Sequence, residues 1–421
     1  MKMEPAPGVP VYGIVVEKDV DVPMRDGARL KADVFRPDDP GTFPAILNLG
    51  PYQKDKLWVP PGNLEEKPNP LMNWETINPQ WWVPKGYAAV RVDGRGSGKS
   101  PGECEPWSLA ESIDLYDAIE WAATPHKKLR IHAGTHVHPF YSEDGRRDQL
   151  RFFDHWLKGI DNGVMAEPPV KLAIRKGRDE VEWRFEHEWP LARTRWTKFY
   201  FDLSQPAPGT AANAGRLVAA NPQTCSSRTY PATSLGSMGS TSAASSQVMA
   251  GAIPPGMGVA LETPPLAQDV EVTGPVAAVL WVASSTEDMD LFLTIRNIGG
   301  DGNEVLETGQ QGTPVPVAKG WLRVSHRELD AELSLPYRPY HRHQRRLYLT
   351  PGEIVKVEVE IWPTSMVFKK GHRIRLDIQP RDGVGSTAYM HYHADYNSGT
   401  NTIYSGGEKE SYLLLPVIPA A

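Results

Sequence analysis

Two short stretches of this 421-residue chain hold residue types that could do chemistry. The first, Asp93-Gly94-Arg95-Gly96-Ser97-Gly98-Lys99-Ser100-Pro101-Gly102, follows an apolar run and fits two different patterns. Gly98-Lys99-Ser100 matches the end of a phosphate-cradling loop, whose backbone amides hold an anion at a helix start. Asp93 stands where that pattern needs its first glycine, and Ser-Pro-Gly-Glu-Cys-Glu-Pro does not open the helix that should receive the phosphate. Gly98-Lys99-Ser100-Pro101-Gly102 also matches GxSxG, in which an elbow serine attacks a carbonyl and the next residue lends its N–H to the oxyanion. Pro101 has no N–H to lend, which makes Ser100 a poor nucleophile. The bland reading is a glycine-rich turn tied down by a charge-assisted bond between Asp93 and Arg95.

The second stretch is His132-Ala133-Gly134-Thr135-His136-Val137-His138, directly after a strand-like run. A histidine on a loop at the C-terminal end of a strand is placed as a general base would be in an α/β enzyme. Three imidazoles so close together also admit a metal, although no carboxylate motif accompanies them. A structural or solvated histidine cluster is the third reading. Further on, His341-Arg342-His343-Gln344-Arg345-Arg346 is a short basic run that reads as an exposed loop rather than a polyanion patch.

The elements that must position these residues change character along the chain. An Asp-Gly turn at Asp26-Gly27 between two β-rich runs predicts a hairpin. Ala45 to Leu49, Tyr87 to Val92 and Leu129 to Ala133 are short apolar runs suited to buried strands. Leu109 to Ala123, and Leu150, Phe153, Trp156 and Leu157, recur at helical spacing, the second helix being stopped by Gly159. Beyond about Glu182 the runs Lys198 to Leu203, Ala277 to Ala283, Leu291 to Arg296, Ile354 to Trp362, Arg373 to Gln379 and Tyr412 to Val417 read as strands with no helix between them. That pattern predicts a sandwich or jelly roll. Ser204 to about Pro265, rich in Ala, Ser, Gly, Thr and Pro, reads as long loops with isolated strands.

Composition narrows the partners. Lys+Arg 45 against Asp+Glu 51 gives a formal charge of −6, which supplies no general attraction to nucleic acid or an anionic membrane. No apolar run reaches the roughly 18 residues of a membrane span, and prolines interrupt MKMEPAPGVPVYG, so a soluble cytoplasmic protein is expected. Cys104 and Cys225 are too few for a disulfide framework or a zinc set.

VPMRDGARLKADVFRP, FPAILNLGPYQKDK and GYAAVRVDGRGSGKSPGE followed by the AIEW helix resemble the α/β-hydrolase family of X-Pro dipeptidyl-peptidases and cocaine-esterase-like (CocE/NonD) enzymes. LRIHAGTHVHPFY with RFFDHWLKGIDNG is similar to that family's catalytic-histidine loop and the helix after it. DMDLFLTIRNIGGDGNEV, GWLRVSHRELD, LTPGEIVKVEVEIWPTSMVFKKGHRIRLDI and SYLLLPVIP resemble its C-terminal jelly-roll domain. The resemblance implies a serine hydrolase of esters, amides or peptides that needs no cofactor or metal, with Tyr52 in the oxyanion hole and His136 as general base. His138 is the second choice for the base, and a homodimer is compatible with the family.

The departure from the family is internal. Its AIEW helix leads into a strand with a Gly-x-Ser-Tyr elbow, then a lid, then a strand bearing the acidic triad member. Here Ala118 to Pro125 runs straight into His126 to Ile131. The expected fold class is therefore α/β plus β: a truncated α/β-hydrolase core over 12–177, interrupted near 125/126, then a jelly-roll β-sandwich over 182–421. With the central strand missing, Leu129 to Ala133 is expected to take its slot beside Ala45 to Leu49. The expected activity is that of an impaired or inactive hydrolase, the alternative being a non-catalytic remnant or splice product acting as a β-sandwich module that binds a partner or carbohydrate.

Overall fold

The structure, a computed structural model, describes residues 11–56, 68–73, 75–105, 111, 113–114, 128–135, 138–177, 179–204, 213–232, 258–309, 314–380 and 399–419. These residues are mostly β with few helices, and the chain divides into two compact units. Met1–Lys127 with Val137–Glu167 forms one unit, and Lys128–His136 with Pro168–Ala421 forms the other. The predicted helix over Leu109 to Ala123 and the junction at Pro125-His126 lie almost wholly outside the described residues.

In the first unit β1 (Ile14–Pro23) and β2 (Arg29–Pro37) form the expected antiparallel hairpin. Its turn needs Gly27, which sits at φ 85°, and Asp26 Oδ1 accepts the Ala28 N–H at 3.0 Å. β3 (Ala45–Gly50) and β4 (Ala88–Asp93) run parallel, and the sheet order is β1-β2-β4-β3. Strand alternation splits its side chains between two cores. Leu30, Ala32, Val90 and Val92 are buried on one side. Phe35 and Ala89 join Trp82 of the short α1 (Pro79–Trp82) and Tyr87 on the other.

That second core is covered by helix α3 (Glu143–Lys158), which follows the single turn α2 (His138–Tyr141). Ser142 caps it by accepting the Gly145 N–H at 3.1 Å, and Gly159 ends it in the left-handed conformation, as its sequence predicts. Leu150, Phe153 and Leu157 face the sheet, while Asp154 accepts a 2.7 Å hydrogen bond from the Tyr87 hydroxyl.

The second unit carries β5 (Leu129–Ile131), β6 (Val170–Gly177), β7 (Glu180–Glu186), β8 (Arg195–Asp202), β9 (Ala214–Val218), β10 (Ser226–Pro231), β11 (Val259–Glu262) and β12 (Val270–Ser284). It continues with β13 (Asp290–Ile298), β14 (Glu307–Thr308), β15 (Pro314–Val315), β16 (Ala318–Arg323), β17 (Val355–Phe368), β18 (Arg373–Gln379), β19 (Thr400–Ser405) and β20 (Tyr412–Ile418). All six strand-like runs read from the sequence fall on these strands, with Leu203 and Ile354 one residue beyond the ends of β8 and β17. The circuit β12-β20-β8-β9-β11-β18-β13-β16-β17 closes through β12–β17 pairing around a core of Val, Leu, Ile, Phe and Met side chains.

One expectation is overturned. Among the described strands β3 pairs with β4, and Leu129–Ile131, instead of pairing with β3, pairs in parallel with Val170–Leu172. Ile131 packs against Val170, Leu172, Ile174, Leu191 and Ile418, so β6 offers it both an unfilled hydrogen-bonding edge and an apolar cluster.

Candidate active site

Ligands of parallel strands bind where loops leave the carboxyl ends. Gly50 and Asp93 are paired at the ends of β3 and β4, and the Gly94 N–H donates to Gly50 O at 2.9 Å, so the two loops depart side by side. A Cβ on Gly94 would stand 3.3 Å from Gly50 O, a close approach that favours glycine there. The loop after β3 carries Tyr52, whose side chain is 46% exposed at the turn Pro51-Tyr52-Gln53-Lys54.

This turn is held from three sides. Gln53 takes φ 64°, a left-handed conformation that a non-glycine residue keeps only when its surroundings fix it. Asn73 Nδ2 donates to Gln53 O at 2.9 Å and Lys54 O at 3.1 Å. The Lys54 N–H donates to Asp93 Oδ1 at 2.6 Å, while the Lys99 N–H donates to Oδ2 of the same carboxylate at 2.9 Å. Asp93 is 1% exposed and clamps both loops to the strand ends.

Beneath the turn lies an ion network. Lys54 Nζ reaches Asp19 at 2.6 Å, Asp55 at 2.8 Å and Asp33 at 3.0 Å. Lys18 bridges Asp33 and Asp55, and Lys99 reaches Asp19. Burial disfavours the Lys54 ammonium, but the hydrogen bonds it donates to Asp19, Asp55 and Asp33 outweigh this and raise its pKa. Hydrogen bonds from Lys18 and Lys54 hold the Asp55 carboxyl well below its ordinary range. Sequence reading missed this network, whose signal was Asp33 inside the apolar alternation Ala32-Asp33-Val34: a strand carboxylate in that setting needs a cation.

The glycine-rich segment proves structural. Ser100 is buried, its hydroxyl donating to Asp93 O at 2.6 Å and accepting the Lys31 N–H at 2.9 Å. Gly98 lies at φ 52°, and a Cβ there would fall 2.1 Å from Asp93 Oδ2. The Lys99 amide that a phosphate would use already holds Asp93, so a fixed anion fills the nest. The expected Asp93–Arg95 bond is replaced by two separate ties. Asp93 is spent on backbone amides, and Arg95 forks onto the buried Asp114 at 2.8 and 2.9 Å and reaches Asp26 at 2.9 Å. A cavity of about 110 Å³ beside this loop is lined by Pro51, Gly94, Arg95, Glu103, Cys104, Glu105 and Glu111.

Of the histidine loop, His132 turns its Nδ1 toward Ala133 O at 3.2 Å, and His138 is exposed at the start of α2. His136 lies outside the described residues. The described residues contain no group of three or more His, Cys, Asp or Glu that could hold a metal ion. The basic run at 341–346 is an ion-paired loop, with Arg345 forked onto Glu328 at 2.6 and 2.8 Å and Arg342 reaching Asp330 at 3.2 Å.

Residues 162–414 match the X-Pro dipeptidyl-peptidase C-terminal non-catalytic domain, a match spanning more than half of the chain. Residues 26–145 match the X-Pro dipeptidyl-peptidase S15 family. This chain belongs to the X-Pro dipeptidyl-peptidase and cocaine-esterase-like family. It is 29% identical over 289 residues to the cocaine esterase of Rhodococcus sp. (strain MB1 Bresler), covering 63% of this chain and 45% of that protein. It is 26% identical over 408 residues to a Mycobacterium bovis protein named as a serine esterase, covering 89% of this chain and 59% of that one. The chain thus spans under two thirds of the length of these curated relatives. A crystal structure of a CocE/NonD family hydrolase from Staphylococcus aureus matches with a TM-score of 0.79 at 23% identity, covering 96% of this chain and 94% of that one. An α-amino acid ester hydrolase matches with a TM-score of 0.53 at 13% identity, covering 99% and 98%. At these identities the likeness is one of fold. No helix among the described residues is long and apolar enough to cross a membrane.

Proposed function

We propose that this chain is a serine-hydrolase scaffold for ester, amide or peptide acyl bonds in which the oxyanion side is built and the nucleophile is missing, leaving it impaired or inactive. In the full reaction a serine Oγ attacks the acyl carbon and His136 takes its proton. Tyr52 and a backbone N–H hold the oxyanion until the leaving group departs with that proton. The observation that carries the reading is Ser100. The chain's GxSxG serine is buried, has its hydroxyl engaged by Asp93 and Lys31, and precedes a proline. Tyr52, by contrast, is exposed on a rigid turn at the strand ends, which suits an oxyanion donor.

The domain reading that goes with this is a truncated α/β-hydrolase core over 12–177 and a jelly-roll sandwich over 182–421 in a cytoplasmic protein. Removing the nucleophile alone costs such an enzyme on the order of 10⁶ in kcat. A fluorophosphonate probe tests the reading: the purified chain should take up no stoichiometric label. Labelling of any serine at one equivalent would overturn it. A non-catalytic binding module is the second reading, favoured by a groove on the second unit.

A further inference from the structure

The outer face of β13, β16 and β17 presents two exposed tryptophans beside polar side chains. Leu291, Leu293, Leu322, Val357, Val359 and Ile361 point into the core, so alternation sends Phe292, Trp321, Glu360 and Trp362 to the opposite face. Trp321 and Trp362 are 42% and 61% exposed, with ring centroids 5.7 Å apart and planes inclined at 46°. Gly320 lets the two strands pinch together beneath them, since a Cβ there would meet Glu360 O at 2.3 Å. The groove has a volume of about 420 Å³, inside the range typical of small-molecule sites, and His326, His341 and His343 form part of its lining.

The polar groups discriminate among ligands. Arg323 is forked onto Asp290 at 2.9 and 3.1 Å, so their charges cancel. His343 and His326 face each other Nδ1 to Nδ1 at 3.2 Å, and burial lowers the pKa of both His341 and His343, which keeps these two imidazoles neutral. An anion would meet the Glu360 carboxylate, while a quaternary cation could use the ring faces and Glu360 but would leave the N–H donors of Arg323 and of the neutral imidazoles unmatched. A purely apolar ligand would strip water from these groups without replacing their hydrogen bonds. His341 Nε2 is already buried with no hydrogen-bond partner among the described residues, the kind of atom whose presence calls for an explanation.

We infer that this groove binds a neutral saccharide, whose ring C–H faces stack on Trp321 and Trp362 while its hydroxyls bond Glu360, Arg323 and the histidine wall. Such a ligand matches a wide aromatic platform ringed by mixed donors and acceptors, the Glu360 carboxylate serving as a hydroxyl acceptor. The inference stands apart from the hydrolase reading, because the groove lies wholly within the second unit and binding is measured without turnover.

Titration of the full chain with cellohexaose, maltohexaose and xylohexaose, followed by tryptophan fluorescence and calorimetry, tests it. At least one should bind saturably, Trp362→Ala should weaken that binding about tenfold, and Glu360→Gln should weaken it with the melting temperature unchanged. The inference is overturned by no saturable binding of any of the three, by equal binding to Trp362→Ala, or by saturable binding of tetramethylammonium or inorganic phosphate instead. A change of oligomeric state on Trp362→Ala, seen by sedimentation, would make the face a protein interface and equally overturn it.

Discussion

Replacing Lys54 by Met removes a cation that three carboxylates share. The Lys54 side chain is 1% exposed, as is that of Asp33, while those of Asp19 and Asp55 are 37% and 40% exposed. Breaking a buried ion pair from one side costs roughly 3–5 kcal/mol, because the remaining charge has lost its partner in a poorly solvated place. Lys18 still contacts Asp33 and Asp55 in the variant, which argues for the lower end, about 3 kcal/mol. For a unit of this size that lowers the unfolding transition by roughly 6–12 °C, read by scanning calorimetry. Adding Asp33→Asn removes the stranded charge and should recover a substantial part of the loss. The pH dependence has a definite sign. The folded Asp55 carboxyl titrates below its unfolded value of about 3.9, so its contribution is present above that pH and is lost as pH falls through the folded pKa. The gap between parent and Lys54→Met should therefore be full at pH 7 and shrink progressively below about pH 4. A shift under about 1 °C at pH 7, or no recovery in the double variant, would refute the claim that this network holds the Tyr52 turn.

Ser100→Ala should cost about 1–3 kcal/mol, because the Lys31 N–H loses its buried acceptor, and should leave fluorophosphonate labelling unchanged; loss of a label would identify Ser100 as a nucleophile after all. Gly98→Ala forces a side chain into a left-handed position against Asp93, and thermal melting should show a loss of at least about 1–3 kcal/mol. His341 and His343 have pKa values lowered by burial, so their contribution is complete above the unfolded value of about 6.5 and is lost as pH falls from 7 toward 5. The second unit's transition should drop over that range, and His343→Asn should flatten the drop. His136→Ala should change no esterase rate in the purified chain, measured with a nitrophenyl ester.

What the sequence made legible was whatever depends on local pattern. The Asp26-Gly27 hairpin, the helix ended by Gly159 and the strand runs from Lys198 onward all follow from turn chemistry and side-chain period, and all occur where they were expected. Pro101 alone was enough to demote Ser100. Pairing partners were harder, because a three-residue strand such as Leu129–Ile131 has too little pattern to state its neighbour, and the apolar cluster around β6 decided it. The Asp93–Arg95 bond failed for a related reason. Sequence proximity suggested two opposite charges would meet, whereas the loop geometry gave Asp93 to two amides and Arg95 to a carboxylate from a distant segment. Trp321, Trp362 and His326 were invisible as a group because three separate elements bring them together.

On the proposed reading, the strand ends are a catalytic-type position that persists without its chemistry. Asp93 is anchored by the Lys54 and Lys99 amides and receives the Ser100 hydroxyl at its own carbonyl. Every one of these bonds serves the shape of the loop pair, and none of them needs a substrate. The Tyr52 turn is therefore stabilised by the fold itself: Asn73 and Lys54 hold Gln53 in its left-handed conformation whether or not a nucleophile stands opposite. Because the positioning network and the reacting groups are different residues, loss of the latter leaves the former under the same structural constraint. Tyr52→Phe removes only the hydroxyl and leaves the clamp on the turn in place, so on this argument it should change stability by no more than about 0.5 kcal/mol. A larger loss on Tyr52→Phe would mean that the phenol is itself part of the clamp, and the separation of positioning from chemistry would fail.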